Sequence, residues 1–271
     1  MRPELQADCS RCVGLCCTAL PFARSADFPE DKPGAVPCRN LDQEYRCTIH
    51  PRLRQEGWIG CTVFECFGAG QRVTQSLGGQ QAWLSKRKQM YPLFPVMHQL
   101  HEMLWYLADP VVTTSSRAGV ARDLAGHIDA LAASAPEGLL ALEVPAIRAR
   151  VGSLLGAVSE ETRTNVARRG VSTRRTRACR RLRPGADLVG ADLSGVHLQG
   201  CSLRGALLLR ARLHGAVLYR VDLLGADLRG AEVSGADLRE ALFLTQPQVN
   251  AATGDSTTRL PARLHRPRHW S

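Results

Sequence analysis

The sequence predicts a multidomain α+β protein, and three patterns carry that expectation. Eight of the ten cysteines fall between Cys9 and Cys66, which marks a small cysteine-rich domain at the N-terminus. Residues 97–158 show helical periodicity. From Ala186 a five-residue repeat runs twelve times without a slip, which marks a short β-helix. The boundaries that follow are a cysteine-cluster segment at 1–70, a helical segment packing on it at 71–162 and an Arg-rich linker at 163–185. The repeats occupy 186–245, and a C-terminal cap and extended tail occupy 246–271.

Residues 1–70 are rich in Cys, Pro and Gly. A segment so short cannot bury enough apolar surface alone and needs a covalent or metal staple. The cysteines open as Cys9-x2-Cys12-x3-Cys16-Cys17 and continue with Cys38, Cys47, Cys61 and Cys66. Thiolates two or three residues apart can converge on one soft cation, as at Zn and Fe–S sites. Adjacent Cys16 and Cys17 are more naturally shared between two centres, or between one centre and a structural thiol. Disulfides are the competing reading. The N-terminus MRPELQADCS has no apolar signal region, so the expected location is the cytoplasm, where thiols stay reduced.

Residues 71–93 read as a polar connector through Gly78-Gly79. A first helix places Met97, Leu100, Leu104 and Leu107 on one face and stops at Asp109-Pro110. A second starts after Ser115-Ser116 and repeats Val120, Leu124, Ile128 and Leu131. A third begins at Pro145 and carries Ile147, Val151, Leu154, Leu155 and Val158. His98, His101 and Glu102 are expected on the solvated face of the first helix, and Trp58, Trp83 and Trp105 in the core. No apolar run is long enough to span a bilayer; Leu93 to Val112 contains His98, His101, Glu102 and Asp109.

The formal net charge is +10, which invites an acidic partner such as nucleic acid. Nine arginines without an acid lie between Arg163 and Arg183 and could grip phosphates. The near-exclusive use of Arg over Lys also fits coding bias and a solvated linker. Cys179 sits in this run as a candidate reactive thiol.

The repeat reads ADLVG, ADLSG, VHLQG, CSLRG and onward to ALFLT. Its middle residue is Leu except at Val233 and Phe243. Period five scatters around an α-helix and alternates faces on a straight strand, so neither buries Leu188, Leu193 and Leu198 together. A backbone that turns a corner every five residues does, with four corners closing a coil of about twenty residues. The middle Leu and the small Ala, Val or Cys201 point inward, Gly takes the corner, and the residue before the Leu points outward. Three coils make a prism about 15 Å long, whose end edges need caps. Thr245 as N-cap, Pro247 in the first turn and Gly254 past the end predict a capping helix.

These repeats resemble the pentapeptide-repeat family, which implies a right-handed quadrilateral β-helix. Some members resemble duplex DNA and bind type II topoisomerases. Here seven acids (Asp187, Asp192, Asp222, Asp227, Glu232, Asp237, Glu240) nearly balance six arginines over 186–245, unlike a DNA mimic. The first segment resembles the CxxCxxxCC zinc- or iron-chelating cysteine-cluster family. The match lies in Cys9, Cys12, Cys16, Cys17, Cys38-Arg-Asn-Leu41, Cys47-Thr-Ile-His50-Pro51-Arg52 and Gly60-Cys61, with Cys66 beyond the usual pattern. The resemblance implies metal on these eight cysteines, with zinc favoured and iron or an iron–sulfur cluster as the alternative.

No Gly-rich phosphate loop, nucleophile elbow or open metal position is visible. The expected function is therefore a non-catalytic metal-binding protein that binds a protein partner through the outer faces of its β-helix. The alternatives are an Fe–S redox or metal-sensing protein, and a topoisomerase-interacting protein.

Overall fold

The computed structural model describes residues 3–168 and 182–270. The chain divides into two compact units, Met1–Leu155 and Gly156–Ser271.

The first unit is helical with a loop-rich start. Its helices are α1 (Leu15–Thr18), α2 (Ile59–Thr62), α3 (Ala69–Ser76), α4 (Trp83–Leu107), α5 (Pro110–Thr113), α6 (Ala118–Ala132), α7 (Pro136–Leu140) and the first part of α8 (Val144–Arg168). The loops before α3 hold two isolated antiparallel bridges, Phe22 with Lys32 and Leu41 with Cys47.

Helix α4 is the pillar of this unit and packs against α1, α3, α5, α6 and α7. Met90, Leu93, Phe94, Met97, Leu100 and Leu104 are buried along it. It starts at Trp83, well inside the expected connector, and α3 lies in that connector too. Pro92 and Pro95 fall within α4 and obscure its early turns, because proline interrupts the amide ladder. Both are exposed, so their rings project away from the core.

The second expected helix is present as α6, but its buried stripe is Ala121, Leu124, Ala125, Ile128 and Ala132. Val120 is exposed, and no side chain caps the helix start. Three of these five residues are alanines, which a search for large apolar residues misses. The third helix matches its expected stripe: Ile147, Val151, Leu154, Leu155 and Val158 are all buried. It continues to Arg168, so the start of the expected linker is helical. Residues 169–181, including Cys179 and most of the arginine run, lie outside the described residues.

The second unit is a prism. Parallel bridges join residues twenty apart on four sides: Asp187–Leu207–Asp227, Asp192–Arg212–Glu232, His197–Val217–Asp237 and Ser202–Asp222–Leu242. The inward Leu198, Leu203, Leu208, Leu213 and Leu218 are fully buried, as are Ala206, Ala211 and Ala216. Cys201 takes the small inward slot and is 1% exposed. The corners need a left-handed backbone: Gly205 has φ 64° and Gly225 φ 66°, and Arg210 and Arg220 adopt φ 53° at the equivalent places.

Two outward-facing expectations change. Asp222 is 1% exposed, and its carboxylate accepts a 2.6 Å hydrogen bond from the Ser159 hydroxyl of α8. That side of the prism is covered rather than free. The tail is also folded, not extended. Thr245 caps helix α9 (Gln246–Ala251) in a reciprocal capping box with Gln248. Thr253 and Arg259 then bridge to Glu232 and Asp237 and prolong two sides of the prism. Trp270 folds back, and its indole Nε1 donates to Ala252 O at 3.0 Å. Gly254 therefore serves a different purpose from a helix stop: a Cβ there would lie 2.7 Å from the Trp270 ring.

Candidate metal centre

The eight cysteines from Cys9 to Cys66 are free thiols, and local structure brings them into one region of the first unit. Residues 6–13 form a strap held on α3. Gln71 accepts from Asp8 N at 2.6 Å and donates to Gln6 O at 3.0 Å. Gln75 donates to Arg11 O at 2.9 Å, and the Thr74 hydroxyl accepts from Val13 N at 3.4 Å. Asp8 caps the short 3-10 turn Cys9–Arg11 by accepting from Ser10 N. This strap carries Cys9 and Cys12 to the start of α3. A Cβ on Gly70 would sit 2.8 Å from Cys12 Sγ, so Gly70 is the space in which that sulfur lies. The thiol of Cys66, just before α3, faces the amides of Gly68 and Gly70.

Gly14, with φ 63°, turns the chain into α1, which carries Cys16 and Cys17. Their sulfurs are 3.7 Å apart, far beyond a disulfide bond of about 2.05 Å. Cys38 N donates to Cys17 O at 2.9 Å and ties the next loop to α1. Beyond it, Cys38, Leu53 and Trp58 form a buried cluster, against which Cys17, Cys47, Cys61, Phe22, Phe28 and Ile49 pack. The rings of Phe22 and Phe28 stack at 4.4 Å, both edge-on to Trp58.

Burial pushes the thiols of Cys9, Cys12 and Cys47 above the usual range, and those of Cys61 and Cys66 up to about 12. Cys16 is raised first by its contact with Cys17 and then by burial. Neighbouring thiolates add to the rise at each of these sites. These upward shifts keep the Cys9, Cys12, Cys16, Cys47, Cys61 and Cys66 thiols protonated in the metal-free protein, and protonated thiols are poor nucleophiles. A metal taken up there must displace protons. Among the described residues, no three His, Cys, Asp or Glu side chains form a ready-made coordination sphere, so a metal would have to draw the sulfurs together.

Two cations stand in this thiol-rich region. Lys32 is 5% exposed; its ammonium donates to Val36 O at 2.8 Å and Pro33 O at 3.1 Å and lies 5.4 Å over the Phe22 ring. Among the described residues it makes no ion pair, and the acids acting on it are Cys38, Cys17 and Cys16. Arg46, whose charge acts on Cys9, is half-buried; its Nη2 donates to Ser10 O at 3.3 Å, and its buried Nη1 has no hydrogen-bond partner among the described residues. Buried cations call for anions nearby. Soft donors beside uncompensated positive charge are what a thiolate-bound metal of net negative charge would match, so the residues fit such a group.

The histidines of α4 are not a solvated face. His101 is 2% exposed, and its Nδ1 bonds to Phe67 O at 2.7 Å. His98 Nε2 bonds to Glu65 O at 2.8 Å. Together they pin the Glu65–Phe67 turn that carries Cys66. Their i, i+3 spacing is visible in the sequence, but their partner is not. Trp58, Trp83 and Trp105 are buried, as expected.

The repeat prism and its five-residue ladder define a class: this is a pentapeptide-repeat protein. The pentapeptide-repeat family matches residues 186–223 and 208–243. The chain belongs to the family of the Bacillus subtilis protein YybG, described as uncharacterized, to which it is 47% identical over 98% of its own length and 95% of that protein. Among solved structures it is similar to a pentapeptide repeat protein from the Arabidopsis thaliana thylakoid lumen. Identity is 28%, over 31% of this chain and 56% of that one, with a TM-score of 0.22. It is also similar to the pentapeptide repeat protein Rfr23 of the cyanobacterium Cyanothece 51142. There identity is 26%, over 32% of this chain and 58% of that one, with a TM-score of 0.16. This chain therefore spans little more than half of each of those two structures. Among the described residues, no helix is long and apolar enough to cross a membrane.

Proposed function

We propose that this protein is a non-catalytic metal-binding module joined to a pentapeptide-repeat prism that docks a protein partner. The observation that carries the metal reading is the gathering of eight free thiols in one loop-rich region, four of them packed around Trp58. Such a region has little regular structure to hold it. Structural zinc contributes on the order of 10 kcal/mol to folding, which is enough to order these loops. Zinc is the favoured ion because all eight candidate donors are thiols, and iron or an iron–sulfur cluster shares that preference. Thiols hold a metal only while reduced, so this reading goes with a reducing compartment such as the cytoplasm.

Elemental analysis of anaerobically purified full-length protein tests this reading. The expected result is stoichiometric zinc in a colourless protein. A brown, iron-containing protein would move the assignment to the iron–sulfur alternative. A folded protein with no metal and eight titratable thiols would end the metal reading.

A further inference from the structure

We infer that the eight thiols divide into two separate four-sulfur centres, with the Cys16-Cys17 step as the junction between them. This rests on the metal-binding reading above and gives it a ligand assignment. The first quartet is Cys9, Cys12, Cys16 and Cys66. Cys9 and Cys12 ride on the strap that Gln71, Thr74 and Gln75 fasten to α3. Cys12 Sγ occupies the space at Gly70, and Cys66 faces the amides of Gly68 and Gly70, so both lie at the head of one helix. Cys16 is a charge neighbour of Cys9, Cys12 and Cys66 and also of Cys47 and Cys61, as a junction residue would be; it does not pack in the Trp58 cluster, which leaves it to this quartet.

The second quartet is Cys17, Cys38, Cys47 and Cys61. All four pack in the one cluster built on Trp58 and Leu53, and none of the first quartet is in it. Cys17 and Cys38 are joined through the backbone at 2.9 Å, and the Leu41–Cys47 bridge returns the chain to the cluster. Lys32 lies over Phe22 on this side, where Cys38 and Cys17 of this quartet and Cys16 at the junction act on it.

Consecutive residues on α1 point in directions about 100° apart, which lets Cys16 and Cys17 serve different centres. Their 3.7 Å separation is also close to the edge of a tetrahedral zinc–sulfur site, about 3.8 Å for bonds of ~2.3 Å. A single ion taking both sulfurs is therefore the rival arrangement.

The test uses the full chain, loaded with zinc alone under anaerobic conditions. Zinc per chain is measured, and a chelator then withdraws it stepwise while exposed thiols are alkylated and located by mass spectrometry. Two zinc ions per chain are expected, with alkylation appearing in two blocks that correspond to the quartets. Cys61→Ser is expected to halve the zinc and expose Cys17, Cys38 and Cys47 while Cys9, Cys12, Cys16 and Cys66 stay protected. Cys66→Ser should do the converse. The wild-type alkylation map stands even if either variant fails to fold. One zinc protecting Cys16 and Cys17 together, or all eight thiols released at once, overturns the partition and leaves metal binding intact. No zinc, with every thiol reactive in folded protein, overturns both.

Discussion

Replacing Gly254 by alanine tests whether the C-terminal tail closes the prism. The added Cβ would lie 2.7, 2.9 and 2.9 Å from Cε3, Cδ2 and Cζ3 of Trp270, closer than non-bonded carbons tolerate. The ring cannot swing away freely. Its Nε1 donates to Ala252 O at 3.0 Å, and His269 Nε2 reaches the same oxygen at 3.1 Å. Complete expulsion of a buried Trp of ~200 Å² would forfeit about 5 kcal/mol at ~25 cal/mol per Å². Partial yielding is cheaper, and overpacking costs roughly 1–3 kcal/mol. A Gly→Ala change elsewhere would gain about 0.4–1 kcal/mol by restricting the unfolded chain, so the sign alone is informative. We expect Gly254→Ala to destabilise the repeat unit by about 2 kcal/mol in urea denaturation of the full chain with the m-value unchanged. In a Trp270→Ala background the same change should cost less than about 0.5 kcal/mol, giving a coupling above 1 kcal/mol. Equal losses in both backgrounds would refute the packing of Trp270 on Gly254.

Two further outcomes are expected. Burial holds the His101 pKa below its usual 6.5, helped by Arg72 and His98, while the Phe67 carbonyl and Asp129 oppose. The unfolded chain then takes up more protons, so this contribution is present above about pH 6.5 and is lost as pH falls below it. The denaturation midpoint of the first unit should drop between about pH 7 and about pH 5, and His101→Gln should flatten that drop; an unchanged slope would show that His101 is not its source. Ser159→Ala removes the hydroxyl that donates to the buried Asp222 carboxylate and should cost about 1–3 kcal/mol, measured on the repeat-unit transition; a neutral result would mean that water replaces it.

The prism was legible because its signal is periodic: one conformational unit repeats, and the residue in the middle of each pentad can only face inward. What the period did not reveal is what covers it. Asp222 occupies an outward position like Asp187 or Asp227, and only α8 laid against it makes it interior. The tail gave the opposite problem. Its Arg and Pro content resembles an extended segment, yet Thr253, Arg259 and Trp270 close the prism through contacts that have no sequence periodicity. Helix α4 was half legible. Its later turns show the apolar stripe, while Pro92, Pro95 and the Gly78-Gly79 pair mask its beginning. For the cysteines, spacing identified a chelating residue type without showing neighbourhoods, because Cys66 and Cys12 come together only at the head of α3 and Cys61 and Cys17 only through the Trp58 cluster.

The outer faces of the prism bear on what they bind. Asp192 meets Arg212 at 2.9 Å, Asp227 meets Arg229 at 2.7 Å, and Asp237 meets Arg239 at 2.7 Å with Arg259 at 3.8 Å. The arginine hydrogen bonds hold the carboxyls of Asp227 and Asp237 below the usual range, so both sides of these pairs stay charged and cancel at a distance. Surface pairs of this kind add little stability. Their consequence is in the field: with Asp222 buried and three acids paired, the prism lacks the continuous negative rows that would imitate a DNA backbone. Between the paired charges, Val189, Leu207 and Tyr219 remain exposed, and Leu207 stands in one ladder between Asp187 and Asp227. A near-neutral surface with isolated apolar side chains suits contact with a protein, whose interfaces pair apolar patches with a polar rim, better than it suits a site evolved to receive duplex DNA.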